Sequence, residues 1–76
     1  MLLLIGKRSF PVASLADASA RYQRFRGLKS VDHVPEGLVQ DDAGQVVAKV
    51  SYNGRVWPPG AWHAGLAPIL EAVEPG

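Results

Sequence analysis

The dipeptide Asn53-Gly54 constrains the fold more than any other feature of the chain. It lies between the alternating runs "QVVAKVSY" and "RVW". Asn-Gly favours a two-residue type I′ turn, which needs positive φ at both central positions. We therefore predict a β-hairpin about this turn. The predicted pairs are Tyr52 with Arg55, Ser51 with Val56, and Val50 with Trp57.

This register decides which side chains of the hairpin face the core, because residues alternate along a strand and paired residues share a face. The predicted core face holds Val46, Ala48, Val50, Tyr52, Arg55 and Trp57, and the opposite face holds Val47, Lys49, Ser51 and Val56. We expect Trp57 and Val50 to lie near the centre of the contact with a helix.

The helix is predicted over about residues 15–26. Ser14 can cap its first turn, and Leu15, Ala18, Tyr22 and Phe25 form one apolar stripe at helical spacing. Gly27 is expected to end it.

The remaining elements are strands. The short apolar run from Leu2 to Ile5 predicts a buried strand, with residues 10–12 as an extended lead into the helix. "GLVQDDAGQVVAKVSYNGRVW" predicts a meander with strands at about 38–41, 45–52 and 55–57 and a turn at Gly44. Residues 66–73 fit either a short helix or an edge strand, and we favour an extended segment.

Length and composition indicate one small α+β domain spanning residues 1–76. A chain of 76 residues buries only about 60% of its unfolded surface, so most large apolar side chains belong to the core. The content of 47% hydrophobic and 20% charged residues is typical of globular proteins. The predicted architecture is β-α-β-β-β, one amphipathic helix on an antiparallel sheet, followed by a short C-terminal strand or helix.

The residues offer little support for catalysis. There is no cysteine, the histidines are His33 and His63, and there is no glycine-rich phosphate loop. Asp32, His33 and Glu36 are more typical of solvated turns than of a metal site. We therefore expect neither an enzyme nor a cofactor or metal. No apolar run approaches the roughly 20 residues of a membrane span, so we expect a cytoplasmic protein without membrane contact.

The sequence does not identify a function, and the best prediction is a small protein-interaction module. The expected partner is another protein or a second copy of the chain. The loop "WPPGAWH" places an aromatic side chain outside any regular element, where binding residues often occur. The candidate interaction residues are Arg55, Trp62 and His63.

The alternative is a weak nucleic-acid-binding accessory or regulatory protein. The basic residues of the helix flank that would contact phosphates are Arg21, Arg24, Arg26 and Lys29. This alternative is less favoured, because the net charge is only +1 and the interleaved Tyr22 and Phe25 are expected to face the sheet.

Overall fold

The computed structural model describes residues 1–28 and 34–74. One helix packs on one face of a five-stranded antiparallel sheet, which confirms the predicted α+β class. In chain order the elements are β1 (Leu2–Ile5), β2 (Arg8–Pro11), α1 (Leu15–Leu28), β3 (Gly37–Gln40), β4 (Val46–Val50) and β5 (Val56–Trp57). The strands lie side by side in the order β2-β1-β3-β4-β5. Within the described ranges, no helix has the length and apolarity to cross a membrane.

β2 is a strand that the prediction treated only as an extended lead. It forms a hairpin with β1, in which Ile5 pairs with Arg8 and Leu3 with Phe10. Gly6 has φ of 61° at the first central position of the two-residue turn, as a type II′ turn requires. The signal was weak because Pro11 argues against a strand unless that strand lies at a sheet edge.

The helix begins as predicted and ends later. Ser14 Oγ accepts a hydrogen bond from the backbone N–H of Asp17 at 3.1 Å, so it caps the first turn. Gly27 lies inside the helix, which continues to Leu28. Ala18 and Tyr22 of the predicted stripe are fully buried. The contacts of α1 with β1, β3 and β4 confirm that this stripe faces the sheet.

The predicted register of the second hairpin is wrong by one residue. Asn53 does not adopt a positive φ, whereas Gly54 does, at 91°. The N–H of Gly54 donates to the carbonyl of Ser51, and the N–H of Ser51 donates to the carbonyl of Arg55. The connection is therefore a three-residue loop in which only the last residue is left-handed. Val50 pairs with Val56, and Lys49 pairs with Trp57.

This shift reverses the predicted faces of β5. Val56 is fully buried under the helix, whereas Trp57 shares the opposite face with Lys49 and is only partly buried. Tyr52, also predicted for the core face, is 59% exposed. A one-residue slip exchanges the two faces of a strand because side chains alternate with a period of two.

The core lies between the sheet and the helix. Tyr22 is its largest fully buried side chain, and its hydroxyl donates to the carbonyl of Pro35 at 3.0 Å. Gly37 lies beneath the Tyr22 ring. The other buried hydrophobic residues of the described chain are Leu3, Ile5, Val12, Ala18, Val34, Val39, Ala48, Val50 and Val56.

Residues 58–74 contain no helix, in agreement with the expected extended tail. Within this segment, Leu70 forms an isolated antiparallel bridge with Val56 of β5.

Candidate functional site

The sheet face opposite the helix, which we call the outer face, is only partly covered by the rest of the described chain. Register places one residue of each strand in a continuous row across it: Ser9, Leu4, Leu38, Lys49 and Trp57. The solvent-facing side of an antiparallel sheet is usually polar. Three of the five residues in this row are large and apolar, and Leu2 beside it is 41% exposed.

The loop of residues 58–68 passes over one end of the outer face. Between the loop and the sheet lies a pocket of about 220 Å³ that is open to solvent. Two tryptophans line it: Trp57 from β5 and Trp62 from the loop, of which Trp62 is 67% exposed. The other lining residues are Glu36, Lys49, Ser51, Asn53 and Leu66.

Hydrogen bonds hold the floor and the rim of this pocket in place. The indole N–H of Trp57 donates to Ser51 Oγ at 2.9 Å, and that hydroxyl donates to Asn53 Oδ1. Lys49 Nζ donates to the carbonyl of Gly60 and so ties the loop to the sheet. The two charged lining residues, Lys49 and Glu36, have opposite signs. The pocket lining therefore combines the apolar side chains of Trp57, Trp62 and Leu66 with polar ones, and its two charges cancel.

The edge of the sheet at β2 is protected by a proline. The N–H of Val12 donates to the carbonyl of Met1, so the next pair in register, Leu2 with Pro11, is a pair without mutual hydrogen bonds. The nitrogen of Pro11 therefore points away from β1, toward solvent. Proline costs no ladder hydrogen bond at this position and removes one donor that an added strand would need.

The edge at β5 is occupied by residues 69 and 70. The N–H of Val56 donates to the carbonyl of Leu70 at 2.9 Å, and the N–H groups of Ile69 and Leu70 both donate to the carbonyl of Val56. Addition of a partner's strand is thus disfavoured at β2. At β5 the outward backbone groups of Val56 are already hydrogen-bonded by Ile69 and Leu70. While residues 69 and 70 occupy the β5 edge, the outer face is the described surface of the sheet that stays open to a partner.

The predicted interaction residues lie in different places. Arg55 is at the β5 edge, where its Nε bonds Glu71 Oε1 at 2.9 Å, and it does not line the pocket. Trp62 lies at the pocket rim. His63 is exposed next to Trp62, with Nδ1 at 3.1 Å from the carbonyl of Ala64. The structure therefore brings Trp62 together with Trp57 and not with Arg55.

The basic residues of the helix are divided between its two sides. The guanidinium of Arg21 lies 4.5 Å from the Phe10 ring centroid, and Arg21 and Arg24 line a second open cavity of about 260 Å³. Arg26 lies over the Tyr52 ring at 5.1 Å and bonds its carbonyl. Lys29 lies outside the described residues. The described basic residues of the helix thus lie on two sides of it and not in one patch.

In residues 1–28 and 34–74, no three His, Cys, Asp or Glu side chains are grouped so that they could hold a metal ion. Asp41 instead caps the β3–β4 turn, where its Oδ1 accepts from the N–H groups of Ala43 and Gln45. Asp32 and His33 lie outside the described residues.

Sequence reasoning missed Trp57 as a surface residue, because the assumed two-residue turn placed it in the core. It also missed Lys49, Glu36 and Leu66 as neighbours of Trp62. The apolar residues Val50, Val56 and Trp57 are compatible with either turn. The conformation of Asn53 decides the turn, so only that conformation could have shown that Trp57 lies on the outer face.

Comparison of the chain with protein-family models, with curated proteins and with solved structures found no match.

Proposed function

We propose that this chain is a non-catalytic interaction module that binds another protein through the outer face. In this proposal the pocket between Trp57 and Trp62 receives one large apolar side chain of the partner. The observation that carries the proposal is that two tryptophans line a single open pocket on a sheet face that exposes Leu2 and only half-buries Leu4 and Leu38. Contiguous exposed apolar surface of this kind commonly marks an interaction site.

The size of the pocket favours a side chain over a cofactor or substrate. Small-molecule sites typically have volumes of about 300 to 1,000 Å³, and this pocket has about 220 Å³. A cavity of about 150 Å³ is enough to hold benzene. One aromatic or branched side chain therefore matches the pocket, whereas a nucleotide or a similar cofactor would not be enclosed.

The chemistry of the lining matches that of an interface anchor. Tryptophan is enriched among the few residues that dominate binding energy, and such residues usually lie within a rim that excludes water. Trp57 is held by its bond to Ser51, so little side-chain freedom is lost when a partner binds. Glu36 and Lys49 can orient the partner through opposite charges at the same opening.

The test is the selection of binding peptides from a displayed random library against the full-length chain. We expect enriched peptides with a large apolar anchor, whose affinity falls at least about 30-fold in Trp62→Ala, as loss of a hot spot of roughly 2 kcal/mol requires. Tyr52→Ala is the matched control, because Tyr52 is also an exposed aromatic residue and does not line the pocket.

Three results would contradict the proposal: no enrichment, equal loss in both variants, or binding unaffected by Trp62→Ala. Light scattering of the chain alone shows whether the partner can be a second copy. A shift on adding mixed nucleic acid that disappears in an Arg21→Ala, Arg24→Ala double variant would instead favour the nucleic-acid alternative.

A further inference from the structure

The tail, which we define as residues 69–74, lies along the edge of β5 and across α1 as a bound peptide would. Next to β5 it exchanges backbone hydrogen bonds with Val56 through Ile69 and Leu70. Next to the helix, the N–H of Val73 donates to Ser19 Oγ at 3.1 Å, and its carbonyl accepts from Gln23 Nε2 at 2.6 Å. The tail is therefore held mainly by contacts to its main chain.

The groove beneath the tail is built to bind a peptide backbone. Ser19 is fully buried, and its hydroxyl also donates to the carbonyl of Gly54 at 2.6 Å. A Cβ on Gly54 would lie only 2.6 Å from Gln23 Cδ. Because Gly54 has no side chain, the hairpin loop packs directly against the helix. Ser19 and Gln23 thus present an acceptor and a donor at fixed positions, matching the N–H and C=O of one extended residue.

Side chains of the tail add a short recognition pattern. Leu70 packs on the core cluster and Val73 is half-buried, whereas Ala72 and Glu74 are exposed. Glu71 pairs with Arg55 at 2.9 Å. The tail therefore carries, at residues 70–73, an apolar residue, an acidic residue, an exposed residue and a second apolar residue.

The tail contributes only the half-buried Leu70 to the packing of the core. Ile69 is 49% exposed, and none of the fully buried core side chains of the described chain belongs to residues 58–74. Release of the tail leaves Ser19 Oγ bonded to Gly54 and Gln23. It removes the tail as partner for one N–H of the half-buried Gln23 and for the backbone N–H and C=O of Val56, at the edge of the sheet. Residues 58–68, which join the tail to β5, contain no helix or strand that would have to break.

We propose that the groove between β5 and α1 is a second protein-binding site, distinct from the Trp57 and Trp62 pocket. Its ligand is an extended segment of a partner protein with the pattern apolar, acidic, any, apolar. The chain's own tail occupies the site in the free protein. A tethered segment acts at an effective concentration in the millimolar range, so a partner segment must bind more tightly than the tail or meet a tail that has been weakened.

The experiment uses the full-length chain and a fluorescently labelled peptide of residues 68–74, followed by fluorescence anisotropy. Val73→Pro removes the N–H that donates to Ser19 and so weakens the tail without changing the groove. We expect the peptide to bind this variant at least about tenfold more tightly than it binds the wild type, because the apparent affinity rises with the fraction of open groove.

Gln23→Leu in the Val73→Pro background tests the groove itself. It removes the groove's donor to the peptide carbonyl while keeping a side chain of similar size. We expect binding to fall at least about tenfold. Glu71→Lys is a second way to weaken the tail at an exposed position, by placing a cation beside Arg55.

Equal affinity of wild type, Val73→Pro and Glu71→Lys for the peptide would overturn the proposal, as would binding that survives Gln23→Leu. Trp62→Ala should leave peptide binding unchanged. A failure of this inference is therefore distinguishable from a failure of the proposed function.

Discussion

Substitution of Gly37 by alanine tests how closely α1 packs on the sheet. An added Cβ would lie 2.8 Å from Leu3 Cδ1 and 3.1 Å from Tyr22 Cδ1. Both side chains are fully buried and the Tyr22 hydroxyl is bonded to Pro35, so a shift of either one disturbs other packed core residues. Overpacking of this kind costs about 1 to 3 kcal/mol, and the lower entropy of the unfolded chain offsets about 0.4 to 1 kcal/mol. We expect a net loss of about 1 to 2 kcal/mol in the free energy of unfolding.

The assay is thermal unfolding followed by circular dichroism, with Gly27→Ala as the matched control. The expected loss in Gly37→Ala corresponds to a decrease in Tm of roughly 5 to 15 °C for a domain of this size. Gly27 lies in α1 with nothing within 4 Å of an added Cβ, so the same substitution there should raise the Tm by a few degrees. A Gly37→Ala protein as stable as the wild type would refute the packing argument.

Two further substitutions test the core hydroxyl and the sheet edge. Tyr22→Phe should cost about 1 to 2 kcal/mol by leaving the Pro35 carbonyl without its donor. Burial raises the pKa of Tyr22 above its ordinary value of 10.0, so the unfolded chain ionises first and wild-type stability falls as pH rises above about 10. Denaturant titrations should therefore show the gap between wild type and variant narrowing above that pH, and a constant gap would contradict this assignment. Pro11→Val should restore an outward N–H on β2 and produce concentration-dependent association in light scattering; a variant as monodisperse as the wild type would argue against edge protection.

The fold class was predictable because its signals are local. The stripe from Leu15 to Phe25 and the cap at Ser14 are encoded within single elements, and both indicate the helix and its buried face. The alternation of Val46 to Val50 likewise indicates a strand without reference to the rest of the chain. Such patterns predict the structure correctly because each one depends on a single face of a single element and not on contacts from elsewhere in the chain.

The register of β5 was not predictable from its own residues. Asn-Gly fits a two-residue turn and also a three-residue loop that ends in a left-handed glycine. Contacts from elsewhere distinguish them, since Ser19 bonds the carbonyl of Gly54 and Gln23 packs against it. The pocket depends on that choice, because it needs Trp57 on the outer face beside Lys49. Trp62 could be proposed from its loop position alone, and its role in binding stays a prediction.

The strand order has a consequence for how the chain folds. β1 and β2 form one local hairpin, and β3, β4 and β5 form a meander whose partners are also close in sequence. The ladder between β1 and β3 joins residues on either side of α1, so closing it carries most of the loop entropy of the sheet. Substitutions in the paired residues of β1 and β3, such as Leu3 or Val39, should slow folding. Changes in the β4–β5 loop should mainly speed unfolding.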